Sequence, residues 1–168
     1  SRNFISKDNV KEFNRIGVNI AKRARIEYGR AEHISIFGDM SVMGDCYSPI
    51  SIAHSVDGAV EYHLEQAKVL VAEGVNALWV ETVGNVLEAK AFAIVAHELK
   101  IPVYISVVLD QEGNLLDRTS VDELIKMVDK TVPAESQPVK YLTNCSWETQ
   151  VEAMYERSER NGVLHRLG

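Results

Sequence analysis

Four times along the chain, a short apolar run gives way to a polar loop and then to a stretch with apolar residues every three or four positions. One helical stretch precedes these units. In it Val10, Phe13, Ile16, Ile20 and Ala24 recur at helical spacing, Ser6 is a candidate N-cap and Gly29 marks the end. Ile34 to Phe37 is short and β-prone, and the segment from Gly38 to about Ser55, rich in Gly, Ser, Asp and Pro, reads as a long loop. Asp57 can cap a second helix with Val60, Leu64, Ala67 and Val71 as its apolar stripe, and Gly74 fits the left-handed position just past its end. Val75 to Val80 is a continuous apolar strand closing on Glu81.

The pattern then repeats. Asn85 with Glu88 has the spacing of a capping box, and a helix follows through Leu87, Ala91, Val95 and Leu99. Ile101 to Leu109 reads as a strand, with Pro102 tolerated at its start. Gly113-Asn114 marks a turn, and Ser120 with Glu123 is a second capping box ahead of Leu124, Met127 and Val128. After a loop from Pro133 to Pro138, Val139 to Asn144 is a fourth strand, followed at once by Cys145. The last helix carries Val151, Met154 and Tyr155 and stops at Gly162.

Strands alternating with helices of this length imply an α/β fold with a parallel sheet and right-handed crossovers. Two architectures fit: an open doubly wound sheet, or part of a (β/α)8 TIM barrel. A whole barrel takes about 250 residues, so these 168 would be its middle. In both architectures the C-terminal ends of the strands converge on the face where ligands bind. Glu81 and Cys145 each stand at such an end. A carboxylate and a thiol delivered from separate strands suit metal-assisted or thiol-handling chemistry.

Composition narrows the partners. Residues are 46% hydrophobic and 25% charged, ordinary for a soluble domain with a real core. A net charge of −6 argues against nucleic acid, because phosphate binding needs a basic face. No apolar run approaches the ~20 residues of a membrane span, and no leader pattern opens the chain. Cys46 and Cys145 do not make a disulfide framework, so a reducing cytoplasm is the expected compartment. The chain starts at Ser1 directly before a helix signal and ends at Gly168 where another strand is expected, which reads as one domain, residues 1–168, partial at both ends. The five histidines show no metal-ligand spacing, and the glycine-bearing loop from Gly38 to Gly44 is followed by no Lys-Ser/Thr of a phosphate-binding loop.

Several stretches together resemble the homocysteine S-methyltransferase family. Glu73-Gly74-Val75-Asn76-Ala77-Leu78-Trp79-Val80-Glu81-Thr82, followed by Glu88-Ala89, is similar to that family's helix end, its strand closing in Glu-Thr and its Glu-Ala pair. Gly38 to Tyr47 resembles the glycine-bearing loop after the family's third strand. Ile101-Pro102-Val103 through Ser106, with Gly113 and Leu115, resembles the next strand and turn, and Thr143-Asn144-Cys145 the Asn-Cys that ends the one after. The matches are collinear and span most of the chain. Departures are Asp39 where Ser is usual, Val42 where Pro is common, Leu142 where Gly is frequent, and Trp147-Glu148 where Pro is common. The family's opening Asp-Gly strand and closing Gly-Gly-Cys-Cys loop are not in this sequence.

The resemblance implies a (β/α)8 barrel, with about strands three to six present, and a zinc-dependent transfer of a methyl group to the thiol of homocysteine, giving methionine. It implies Cys145 as one zinc thiolate, with the companion cysteines absent from this sequence, and Asn144 as a residue orienting the metal shell through its amide. Glu81 would hold the amino end of homocysteine, a role that carboxylate–ammonium pairing supports. Thr82 and the loop from Gly38 to Tyr47 would lie toward the methyl donor, a sulfonium compound, betaine or a methylated folate. The expected partners are therefore small molecules; oligomeric state is not legible. Two other readings stay open: a truncated, non-catalytic barrel serving as a binding module, and a different open-sheet α/β enzyme, whose strand order would reverse. On residue type alone, a lone cysteine at a strand end such as Cys145 is usually a small core residue, and Glu81 could cap the next helix or pair with a lysine.

Overall fold

Parallel pairing in strict chain order organises the molecule. The computed structural model describes residues 7–29 and 31–168. Helix α1 (Lys7–Glu27) precedes β1 (Phe37–Ser41), α2 (Val56–Ala72), β2 (Ala77–Val83), α3 (Val86–Leu99), β3 (Val103–Val107), α4 (Val121–Asp129), β4 (Lys140–Thr143) and α5 (Glu148–Arg160). The sheet order is β1-β2-β3-β4, every pair parallel. The order does not reverse, so these strands contain no switch point of a doubly wound sheet; consecutive parallel neighbours are the arrangement of barrel strands.

One face of the sheet carries the core. Leu78, Val80, Val103, Ile105, Val107 and Tyr141 are buried there with Leu70 of α2, Phe92 and Val95 of α3, and Leu124 and Val128 of α4. Each such side chain contributes roughly 1.5–3 kcal/mol by leaving water. Helix α3 is buried along most of its length, and its alanines Ala89, Ala91, Ala93 and Ala96 let neighbouring helices approach closely. Tyr141 donates to Asp129 Oδ1 at 2.8 Å, and Arg166 donates to the same oxygen at 2.9 Å. Burial, and next the Asp129 carboxylate, hold the Tyr141 hydroxyl protonated far above the usual phenol range.

The opposite face is the one a barrel would turn inward. Asp39, Trp79, Tyr104 and Lys140 form one row of register partners across it. Phe37, Trp79 and Tyr104 stack with ring centroids 5.3–5.8 Å apart.

Several local expectations need correction. The first strand lies at Phe37–Ser41 rather than at residues 34–37. Gly38 and the residues after it look like a loop by composition, but pairing with Ala77–Glu81 makes them a strand. Gly38 faces the helix layer, where an added Cβ would stand 3.0 Å from Leu70 Cδ1 and 3.3 Å from Val75 Cγ2. Its smallness serves close packing of α2 on β1. The second helix is capped by Ser55, whose Oγ accepts from Gly58 N at 3.0 Å, with Asp57 in the first turn instead. Ser120 and Glu123 form the full capping box, whereas Asn85 caps α3 without help from the Glu88 side chain, which is engaged elsewhere. Ser6, the candidate first cap, lies outside the described residues.

Candidate active site

Because the strands are parallel, their C-terminal ends gather on one rim, and the sequence places polar residues there: Glu81 and Thr82 on β2, Ser106 on β3, and Asn144 and Cys145 just past β4. The rim departs from regular strand geometry. The β2–β3 register shifts between Val80 and Val83, so that β2 holds one extra residue. Thr82 within that bulge has φ +58°, and Cys145 has φ +50°. A β-branched residue in the left-handed region is strained, and it persists only where its surroundings fix it.

Asn144 supplies the fixing. Its Oδ1 accepts from Thr82 N at 3.0 Å and from Ser106 Oγ at 2.7 Å. Its Nδ2 donates to Thr82 Oγ1 at 2.7 Å and to Cys145 Sγ at 3.3 Å. The backbone amide of Asn144 also donates to Val107 O. One carboxamide thus ties three strand ends together and aims an N–H at the thiol. These four bonds use both donors of the amide and both lone pairs of its oxygen.

Glu81 shares the rim but not this network. Its side chain is exposed on the open face, where Oε1 accepts from Trp79 Nε1 at 3.1 Å. Asp39 on β1 stands in the register row just below. Burial first, and then the negative charge of Glu81, raise the Asp39 carboxyl above the ordinary range, while a hydrogen bond from the Met40 backbone opposes them. The open face therefore concentrates negative potential beside Glu81, an environment that favours a cationic group.

The β1–α2 loop brings a third element. Tyr47 neighbours Cys145, and that neighbour is the main cause raising its hydroxyl above the usual phenol value. The carbonyl of Cys46 passes Gly84, where an added Cβ would lie 3.3 Å away. The Leu116 side chain crowds the same glycine, so loops after β1, β2 and β3 all meet at this rim.

Of the residues singled out by sequence, the structure brings Thr82, Asn144 and Cys145 together, sets Glu81 on the same rim, and leaves Gly38 apart on the helix-facing side. Sequence reasoning did not single out Ser106 as a rim residue, and it named Asp39 and Tyr47 only as parts of the loop from Gly38 to Tyr47. Alternation along β3 from Tyr104 could have flagged Ser106; Tyr47 comes from a loop whose path no pattern encodes.

For a zinc ion of the kind the resemblance implies, Cys145 is a suitable ligand: a free, exposed thiol at a strand mouth. Among the described residues, however, no group of three His, Cys, Asp or Glu side chains could hold a metal. A catalytic zinc usually has three protein ligands, so the described residues do not by themselves make such a site.

Comparison with known proteins agrees with the geometry. The crystal structure of the Escherichia coli homocysteine methyltransferase MmuM in its apo form superposes with a TM-score of 0.75 at 20% identity, over 94% of this chain and 57% of that one. Its metallated form gives 0.70 at 18% identity, over 90% and 53%. Its oxidized form gives 0.75 at 20%, over 91% and 55%. The chain thus spans little more than half the length of these structures and shares their barrel fold. A search of the curated proteins gives no match. The sequence profile described as homocysteine S-methyltransferase matches residues 1–165; with nearly its whole length matched, the chain belongs to the homocysteine S-methyltransferase family.

Proposed function

We propose that the protein moves a methyl group from a small activated donor to the thiol of homocysteine, giving methionine, and that this chain is one domain carrying about strands three to six of the barrel that does so. The observation that carries the reading is the rim itself: an exposed carboxylate on the open face at Glu81, bonded among the described residues only to Trp79 of its own strand, and a thiol at Cys145 that accepts from Asn144.

In this reading the Glu81 carboxylate pairs with the ammonium of homocysteine by a charge-assisted hydrogen bond. Cys145 would hold a zinc ion through one thiolate, completed by ligands that the described residues do not provide. Bound zinc would favour the thiolate form of homocysteine, the nucleophilic one. Asn144 keeps the Cys145 side chain directed and keeps Thr82 in its strained conformation. The loop after β1 and the Thr82 backbone face the donor, and a fixed geometry of the two reactants lowers the barrier. Two free cysteines suit a reducing compartment, and we place the protein in the cytoplasm. No helix among the described residues is long and apolar enough to cross a membrane.

The test is direct. Full-length protein supplied with zinc, homocysteine and, in turn, a sulfonium donor, betaine and a methylated folate should form methionine with one of the three. Absence of product with every donor, together with no binding of homocysteine, would overturn the proposal in favour of a non-catalytic binding module.

A further inference from the structure

The connection from β3 to α4 is a small hairpin rather than a slack loop. Antiparallel bridges join Leu109 to Leu115 and Asn114 to Ser120, and both leucines are buried. Asp110 Oδ1 closes the turn by accepting from Glu112 N at 2.9 Å and Asn114 N at 3.0 Å. The hairpin is anchored on two sides. Toward β4, Leu109 N donates to Ser146 Oγ at 3.0 Å, and that hydroxyl donates to Asn144 O. Its turn rests on α5, where Arg157 donates to Asn114 Oδ1 and, at 3.0 Å, to Glu112 O. An added Cβ on Gly113 would stand 2.8 Å from Gln150 O and Met154 N, so the approach is close. Toward β2, Asp117 makes the connection. Its Oδ2 accepts from Val86 N, at the first residue of α3, at 2.8 Å, and its own amide donates to Gly84 O at 3.2 Å. Leu116 packs on Gly84 beside it. A carboxylate on an unpaired N–H of a helix N-terminus is favoured by the helix dipole. Asn85 already caps α3 at Glu88 N, so Asp117 adds a second cap supplied by another loop.

We infer that Asp117 is a positioning residue: it docks the 109–120 hairpin on the start of α3 and so makes the hairpin a crossbar between the ends of β2 and β4. Those ends carry Glu81 and, just past β4, Cys145. In the function proposed above, one homocysteine spans the two, its ammonium at Glu81 and its sulfur on the side of Cys145. The spacing of the strand ends then sets where the sulfur stands when it attacks, and small misplacements of reacting atoms are costly in rate. The bearing on methyl transfer rests on that proposed function; the crossbar itself does not.

The test is amide hydrogen exchange in the full-length protein, resolved to single residues, beside methylation kinetics. Asp117→Ala should speed exchange at Val86 and Thr119, whose amides donate to this carboxylate, by about 10–100-fold, the worth of a hydrogen bond to a charged group. Asp110 and Leu115 donate to carbonyls within the hairpin, and their amides should exchange about 3–10-fold faster as it loosens. Asp117→Asn keeps one accepting oxygen and should restore part of the protection. Should Asp117→Ala not fold, the rise at Thr119 and Leu115 in Asp117→Asn carries the test. Unchanged exchange in the folded variants would overturn the inference. So would a rise confined to the first turn of α3, which would reduce Asp117 to a helix cap, or an even rise along the whole chain, which would mark only lost global stability. With a parent that methylates homocysteine, Asp117→Ala should lower kcat about 10–100-fold and leave the KM for homocysteine within about threefold, less than the worth of one hydrogen bond. A raised KM with kcat unchanged would contradict positioning. A parent that forms no methionine would sink the proposed function, while exchange alone still decides the crossbar.

Discussion

Replacing Asn144 by Ala is expected to lower the unfolding free energy by about 2–4 kcal/mol and the Tm by about 5–12 °C. The size follows from what the carboxamide holds. Thr82 is 7% exposed and Ser106 1% exposed, so without Asn144 the amide and hydroxyl of Thr82 and the Ser106 hydroxyl lose their partner where water reaches them poorly. An unpaired buried polar group costs about 1–3 kcal/mol. Thr82 would also lose what restrains its left-handed backbone. Asn144→Asp keeps an acceptor for Thr82 N and Ser106 but cannot donate to Thr82 Oγ1 or Cys145 Sγ, so its loss should be smaller. Urea denaturation of the three proteins measures this directly; a change within about 0.5 kcal/mol for Asn144→Ala, the range of an ordinary surface substitution, would contradict the hub.

Glu81→Ala should raise the KM for homocysteine by roughly 10–100-fold, the worth of a hydrogen bond to a charged group, with a much smaller change in kcat. Its structural cost should be slight. Glu81 is exposed, and its carboxylate bonds Trp79, two residues away on the same strand, so the Tm should move by only about 1–2 °C. A pure KM effect is the signature of binding made equally in ground and transition states. Glu81→Gln, which keeps hydrogen bonding and loses the charge, should fall between the two. Homocysteine kinetics on the full-length variants give the answer, and unaltered homocysteine affinity would remove Glu81 from the site.

The sequence was most legible where physics is local or strongly periodic. Helices α1 to α5 follow from spacing, and Ser120 and Glu123 close the box their positions implied. The parallel βα order followed from alternation, and the strand-end positions of Glu81 and Cys145 from the same pattern, whereas Thr82 and Asn144 were singled out by the family resemblance. What failed depended on partners distant in sequence. Gly38 looks like a loop residue until β2 pairs with it and Leu70 packs on it. Glu88 has the spacing of a cap and Asn85 does cap the helix, yet its carboxylate is drawn to His63 and Ser51. The bulge at Thr82 has no sequence signal, since its residue type disfavours the conformation that Asn144 imposes. Barrel and open sheet could be told apart only by strand order, which no single strand encodes.

The account rests above all on the thiol past β4, and the most direct measurement is zinc content together with homocysteine methylation in full-length Cys145→Ala, with Cys46→Ala as the control. The account predicts that Cys145→Ala loses bound zinc and at least about 10-fold in activity, the lower end of what disturbing a metal site costs, while Cys46→Ala keeps its metal. Full zinc occupancy and undiminished methylation in Cys145→Ala would contradict it.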